Sequence, residues 1–241
     1  MMRKLTLEVL WRAHYVRDSN ARRSSHLALR FLLLLSSVGP GLAVVQGQLP
    51  KTPQDSPKPS YASLLARAKK SDPTVDFKEL RMAFTETSDY SPYGADREAR
   101  QKMFAALKAK EFAAALETAE KILAKNFVEI NAQFVAYVAN RELNKTDKSS
   151  FHKFMFDGLI KSITASGDGK TAETAFVVIS TDEEYVLLNF LGYRATNQSL
   201  ITQNGHSYDR MTAINPKTNE TVTYFFNIDK PFNWLGQDLK K

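Results

Sequence analysis

The sequence predicts an α+β protein, in which helical hairpins of the first half pack on a strand–helix–antiparallel meander of the second half. Residues 95–163 are rich in alanine and place apolar residues at helical spacing. After residue 166 the pattern changes period, to apolar runs of strand type, and Asn204-Gly205 gives a strong hairpin signal between two of them. We therefore expect residues 60–241 to form one domain, with a helical part over 60–165 and an α/β part over 166–241.

The first 47 residues predict an export signal. Basic residues lead into an apolar run of about 15 residues from Phe31 to Val45. This run is shorter than the roughly 20 residues that a membrane-spanning helix needs. Small residues at Val45 and Gly47 suit cleavage before Gln48, and residues 48–59, with four prolines, predict a flexible tether. We expect a periplasmic or secreted protein without a membrane span after signal removal; an uncleaved anchor is the alternative.

Composition excludes several classes of function. Of 33 basic and 26 acidic residues, seven basic and two acidic ones lie in residues 1–47, so the remainder carries a net charge of only +2. A near-neutral domain offers no basic face for nucleic acid. The chain has no cysteine, and only His152 and His206 follow residue 47. Disulfides, thiol nucleophiles and histidine-rich metal sites are therefore excluded, and we expect no cofactor.

The helical half predicts two capped helices and then a series of hairpins. Ser60 suits the N-cap of a helix over 61–70, and Asp76 suits that of a second helix, with Glu79 at the capping-box position. Residues 112–123 place small residues where two helices must approach closely, and this stretch resembles the second helix of a tetratricopeptide repeat. The 34-residue period does not recur, so at most one and a half repeats are present and a solenoid is not expected.

The second half predicts a short run of alternating elements. Thr181 and Glu184 fit a capping box, and Gly192 fits a helix C-terminus. The predicted elements are a turn at 167–170, a buried strand at 175–180, a helix at 181–191, strands at 199–203, 206–214 and 221–228, and a closing helix around Pro231 and Trp234.

No catalytic motif is complete. Gly169-Lys170-Thr171 lacks the earlier glycine of a phosphate-binding loop and has the wrong order of strand and helix. His206 and Asp209 lie on one predicted strand but on opposite faces, so a catalytic pair between them would need a bulge. A serine nucleophile would need a base close in space, which no spacing supplies.

A polar stripe on one helix is the candidate partner-binding surface. Gln133, Tyr137, Asn140 and Arg141 fall at i, i+4, i+7 and i+8, on one helical face. As a binding surface, the stripe would form a groove for a peptide, with the aromatic and arginine side chains as anchors. The alternative is a solvated surface or polar packing under the meander.

Short segments spread along the chain resemble one family, in order and without large gaps over roughly residues 60–240. The segments are Val75-Asp76-Phe77, Leu80-Arg81, Tyr90-Ser91-Pro92-Tyr93-Gly94, Asn140-Arg141-Glu142-Leu143, Gly167-Asp168-Gly169, Val178–Tyr185, Gly205–Asp209 and Phe226–Asp229. They resemble the exported bacterial family known as domain of unknown function 4919. The resemblance implies an exported protein of a Gram-negative bacterium and supplies no catalytic residues.

Two functions of different classes remain open. The first is a non-enzymatic module of the cell envelope that binds a protein or peptide partner. The alternative is an uncharacterised hydrolase that acts on envelope material. Two histidines, no cysteine and no paired acidic motif favour the first, although carboxylate chemistry needs neither histidine nor cysteine.

Overall fold

A computed structural model describes residues 58–93 and 97–238 of the chain. The predicted export signal (1–47) and residues 48–57 of the predicted tether lie outside the described residues. From residue 59 onward the described chain forms one compact unit of eight helices and one four-stranded mixed sheet. The α+β class is therefore confirmed.

Six helices fill the first half, and the two predicted N-caps are confirmed. The Ser60 hydroxyl accepts a hydrogen bond from the Ser63 amide (3.2 Å), and Asp76 accepts one from the Glu79 amide (3.0 Å). From α3 to α6 each helix packs against the next, with fully buried alanines at the close contacts. The helices are α1 Tyr61–Lys69, α2 Phe77–Phe84, α3 Arg97–Lys108, α4 Phe112–Lys125, α5 Ile130–Glu142 and α6 Thr146–Thr164.

The sheet lies in the second half with strand order β1–β4–β3–β2. Its strands are β1 Phe176–Val177, β2 Arg194–Gln203, β3 His206–Ile214 and β4 Thr221–Asn227; α7 (Thr181–Leu191) precedes β2, and α8 (Asp229–Asp238) follows β4. β1 pairs with β4 in parallel, and the other neighbours are antiparallel. The predicted hairpin is confirmed, because Asn204 and Gly205 both have positive φ (52° and 80°), as a type I′ turn requires.

The first strand is much shorter than predicted. Residues 175–180 were expected to form a strand, but the ladder ends at Val177. Beyond this point side chains take over the backbone groups: Arg81 donates to the Val177 carbonyl (3.0 Å), Glu183 accepts from the Ile179 amide (2.8 Å), and Tyr90 donates to the Ile179 carbonyl (2.7 Å). The apolar run is buried as predicted, and the Val178 amide still donates to the Asn227 carbonyl (3.2 Å), but the groups of Val177 and Ile179 named above bind side chains.

The two faces of the sheet pack differently. On one face, Asp209 and Met211 of β3 are buried on the side of α7. On the other face, Tyr208 packs against Ala172 and Ala175 of the segment that precedes β1. Among the described residues, no helix is long and apolar enough to cross a membrane.

Candidate functional site

The predicted polar stripe does not lie on one exposed face. Gln133 and Asn140 are fully buried. The Gln133 amide donates to the Phe127 carbonyl (2.7 Å), and its oxygen lies 2.7 Å from Nδ1 of His152. Burial lowers the pKa of His152 to about 4, so the imidazole is neutral and can donate to Gln133. Gln133 and His152 therefore hold α5 against α6.

Tyr137 and Arg141 remain half-buried on the outer side of α5. The Arg141 guanidinium lies 5.6 Å from the centre of the Tyr137 ring and donates to the Glu142 carboxylate (2.7 and 3.0 Å). This cation–π pair is the part of the stripe that a partner can reach. Its role in binding stays a prediction.

A larger set of polar groups meets at the start of α7. The N-cap residue of α7 is Ser180, whose side chain makes no capping hydrogen bond, and not Thr181 as the capping-box prediction required. Glu183 therefore occupies the third helical position, and its carboxylate accepts from the Ile179 amide. The predicted role of Glu184 in the capping box is wrong, because its carboxyl group makes no such bond.

Glu183 forms a buried ion pair with Arg81 of α2. The guanidinium donates from Nε to Oε1 (2.9 Å) and from Nη2 to Oε2, and from Nη1 to the Ser162 hydroxyl of α6 (3.2 Å). Arg81 and Glu183 are only 1% and 4% exposed. A two-pronged arginine–carboxylate pair with further hydrogen bonds is the arrangement in which a buried charge is tolerated. The pair ties α2, α6, β1 and α7 together.

Glu184 has a contrasting environment, on the side of α7 that faces the sheet. Its side chain is fully buried, and neither carboxyl oxygen has a well-formed hydrogen bond with any described residue. Burial, and then the charge of Asp209 on β3, raise the pKa of Glu184 to about 9. The Asp209 carboxylate is itself buried and accepts from the Gln198 amide (2.6 Å). Glu184 is thus protonated at neutral pH and faces an acidic neighbour.

A cleft of about 490 Å³ opens beside this acidic pair. Tyr93 and Tyr185 contribute aromatic walls, and Gln198 of β2 lies between the cleft and Asp209. Tyr185 donates its hydroxyl proton to the Gln198 amide oxygen (2.8 Å). The volume is within the range of ligand pockets, and half-exposed tyrosines are common at binding surfaces.

One of the two arginines at the rim of the cleft is neutralised by an aspartate. Arg100 and Asp182 form an ion pair (2.8 Å), and Arg97 lies beside them. With two arginines and one aspartate, the charged residues that line the cleft carry a net charge of +1. Its aromatic walls are the feature that distinguishes it from the surrounding surface.

Strand β2 forms an edge of the sheet next to this cleft. No described backbone group outside β3 pairs with its ten residues. Because the two-residue turn makes Gln203 and His206 a hydrogen-bonded pair, the amides of Gln198, Leu200 and Thr202 point away from β3. Their side chains lie on the same face as the cleft, and Leu200 is 55% exposed.

The acid that pairs with His206 is Asp229 and not Asp209. Its Nδ1 lies 2.6 Å from the Asp229 carboxylate, which also accepts from the Ser207 amide (2.8 Å). Asp209 lies on the opposite face, as expected from strand alternation. No described hydroxyl lies within hydrogen-bond distance of the other ring nitrogen. Within the described part of the chain, no three acidic or histidine side chains are placed to hold a metal ion.

The geometry defines an α+β protein with an aromatic cleft and an open sheet edge on one side. A family model of a domain of unknown function, DUF4919, matches residues 53–235, and the chain belongs to this family. No curated protein and no solved structure matches the chain. The tetratricopeptide resemblance of residues 112–123 is not confirmed.

Four of the segments that carry the family resemblance supply the groups around α7. Leu80-Arg81 provides the guanidinium, Tyr90–Gly94 provides Tyr90 and Tyr93, Val178–Tyr185 provides the acidic residues and Tyr185, and Gly205–Asp209 provides the acidic neighbour on β3. No spacing rule connects these segments, since they lie up to 129 positions apart. The only sequence signal that could have linked these residues is that all four segments belong to the motifs of the same family.

Proposed function

We propose that this protein is an exported, non-enzymatic module of the bacterial cell envelope that binds an extended segment of a partner protein. The segment adds to the sheet as a strand along the outer edge of β2. The open row of backbone groups at Gln198, Leu200 and Thr202 is the observation that carries the proposal. Strand addition satisfies such groups, and pockets for alternate side chains give specificity.

Features of β2 favour a partner strand over plain solvent exposure. Soluble proteins protect long edges with proline, inward-pointing charges or pronounced bulges. Between Ala195 and Gln203 this strand has neither a proline nor a charged residue, and its one irregularity lies near its start, between Ala195 and Asn197. Leu200 and Tyr185 add exposed apolar surface on the cleft side. A docked strand would place alternate side chains over this surface.

The hydrolase alternative has less support from the geometry. Glu184 is fully buried and Asp209 is 6% exposed, so a substrate does not reach this acid pair in the described conformation. His206 and Asp229 form a pair at 2.6 Å, but no described hydroxyl completes a nucleophilic arrangement. Binding is therefore the better supported function.

A proline at position 200 tests the proposal directly. Peptides are selected from a phage-displayed library of random ten-residue sequences on the full-length protein, and one selected peptide is then titrated. Leu200→Pro removes an outward amide and keeps the β2–β3 ladder, so we expect peptide affinity to fall more than tenfold. Leu200→Ala removes the same side chain but keeps the amide, and it should bind more tightly than Leu200→Pro.

Two controls separate the possible outcomes. Circular dichroism must show the same secondary structure for both variants, and Leu200→Lys tests the edge again if the proline variant does not fold. Tyr137→Ala/Arg141→Ala tests the α5 surface, and we expect it to leave the affinity unchanged. Equal affinities for Leu200→Pro and Leu200→Ala would contradict strand addition, and loss of affinity in the double variant would assign binding to α5.

Export is tested separately, by intact-mass measurement of the protein recovered from the cell envelope fraction. The basic and apolar lead-in predicts removal of residues 1–47, or a few residues either side. A full-length species found in the cytoplasm would contradict export without affecting the binding proposal.

A further inference from the structure

Glu184 occupies a position where an ionised carboxylate is strongly disfavoured. Its side chain has no solvent exposure, and neither carboxyl oxygen has a well-formed hydrogen bond with a described residue. A buried carboxyl group in this situation keeps its proton unless a cation lies against it. The identity of its neighbours therefore decides its charge.

The neighbouring charges are acidic or already paired. Asp209 faces Glu184 from β3, and Asp182 and Glu183 lie on the same helix. Two nearby cations are engaged elsewhere, since Arg81 binds Glu183 and Arg100 binds Asp182, and Arg97 lies beside Asp182 at the rim of the cleft. The phenolic groups of Tyr93 and Tyr185 complete the surroundings. No described cation neutralises Glu184.

We propose that Glu184 and Asp209 form a proton-binding site in which a proton held on Glu184 keeps the start of α7 on the sheet. In the protonated pair, Glu184 is a neutral acid beside the Asp209 carboxylate. Loss of the proton leaves two adjacent carboxylates, which repel each other and push α7 away from β3. Gln198 contacts both Asp209 and Tyr185, so this movement reaches the wall of the cleft.

The direction of the pKa shifts supports this arrangement. Burial and the charge of Asp209 raise the pKa of Glu184 from its ordinary value of 4.5 to about 9. Burial also raises the pKa of Asp209, while the hydrogen bond from the Gln198 amide opposes the shift. Between about pH 4.5 and 9 the folded protein holds a proton that the unfolded chain has lost. Its stability therefore falls as the pH rises, by up to tenfold in the folding constant for each pH unit.

The site is tested by ¹³C NMR of the glutamate and aspartate carboxyl carbons in the full-length protein. Glu184→Gln assigns the Glu184 resonance by its disappearance. We expect this resonance to show a protonated acid at pH 7 and to titrate near pH 9. Asp209→Asn supplies an amide donor instead of a charge, so it should lower the titration midpoint by more than one pH unit. Titration of Glu184 below pH 6 in the wild type would overturn the proposal.

Urea unfolding at pH 6 and pH 9 gives an independent test. The folding constant of the wild type should fall more between these values than that of Glu184→Gln, which has no proton to lose. Glu120→Gln on the exposed side of α4 is the matched control, and it should keep the wild-type dependence. Identical pH dependence of Glu184→Gln and the wild type would overturn the proposal.

Discussion

Glu183 and Glu184 are consecutive residues of one helix, and both are buried, yet their surroundings are opposite. Glu183 faces Arg81 of α2, and its carboxylate accepts three hydrogen bonds, two from that guanidinium and one from the Ile179 amide. Glu184 faces the sheet, where the charge that raises its pKa most is that of the acidic Asp209. One carboxylate keeps its charge because a cation binds it, and the other keeps its proton because none does.

The difference arises from helix geometry. Successive residues of an α-helix are rotated by about 100°, so adjacent side chains point toward different elements. In α7 the side chain at 183 meets the helical half, whereas the side chain at 184 meets β3. The same residue type is therefore part of an ion pair at one position and a neutral acid at the next, and only the neighbouring elements decide which.

Replacement of Arg81 by methionine should produce the largest effect. This change leaves the Glu183 carboxylate buried without its cation, and removal of one partner of a buried ion pair costs about 3–5 kcal/mol. Urea unfolding at pH 7 measures the loss. A loss below about 1 kcal/mol would show that water or another group compensates Glu183, and the contrast with Glu184 would disappear.

Replacement of both partners should restore part of this loss. In Arg81→Met/Glu183→Leu no charge remains buried, and apolar replacements of buried ion pairs are often well tolerated. We expect the double variant to be more stable than Arg81→Met by roughly 1–3 kcal/mol, because the buried carboxylate that lacks its cation is gone. Simple addition of the two single losses would mean that the pair acts through packing and not through charge.

The Tyr90→Phe variant tests the support around the ion pair and should have a moderate effect. The Tyr90 hydroxyl donates to the Ile179 carbonyl (2.7 Å), just outside the end of β1. Its removal leaves a buried carbonyl without this donor, which costs about 1–3 kcal/mol. Thermal unfolding measures the change, and an unaltered melting temperature would show that this bond is replaced by solvent.

Replacement of Tyr137 and Arg141 on α5 should produce the smallest loss of stability among these variants. Tyr137 and Arg141 are half-buried and contact each other and Glu142. Tyr137 packs partly on the apolar core of the helices, so their joint replacement by alanine should cost roughly 1–2 kcal/mol, well below the 3–5 kcal/mol of a fully buried aromatic residue. A loss of several kcal/mol in urea unfolding would place the pair inside the packed structure.

Local signals in the sequence predicted most of the fold. Ser60, Asp76 and the Asn204-Gly205 turn each act within a few residues, and the structure confirms all three. The first half of β2 was missed, because its Thr-Asn-Gln-Ser run has no apolar alternation and is held as a strand by pairing with β3.

The site at α7 could not be predicted in the same way. Arg81 and Glu183 lie 102 positions apart, and their contact depends on how α2 packs against α7. The polar stripe of α5 was drawn from helical spacing alone, which cannot show that α6 covers Gln133. Both contacts depend on which distant elements pack together, and no local pattern in the sequence encodes that packing.

The most direct test of the contrast compares Glu183→Gln with Glu184→Gln in parallel urea unfolding at pH 7. Both variants exchange a carboxyl group for an amide of nearly the same shape at adjacent positions. Glu183→Gln leaves the Arg81 charge buried without its partner, so it should lose about 3–5 kcal/mol. Glu184→Gln replaces a group that is already neutral, so it should remain within about 1 kcal/mol of the wild type. Equal losses in the two variants would contradict the assignment of a charged Glu183 and a protonated Glu184.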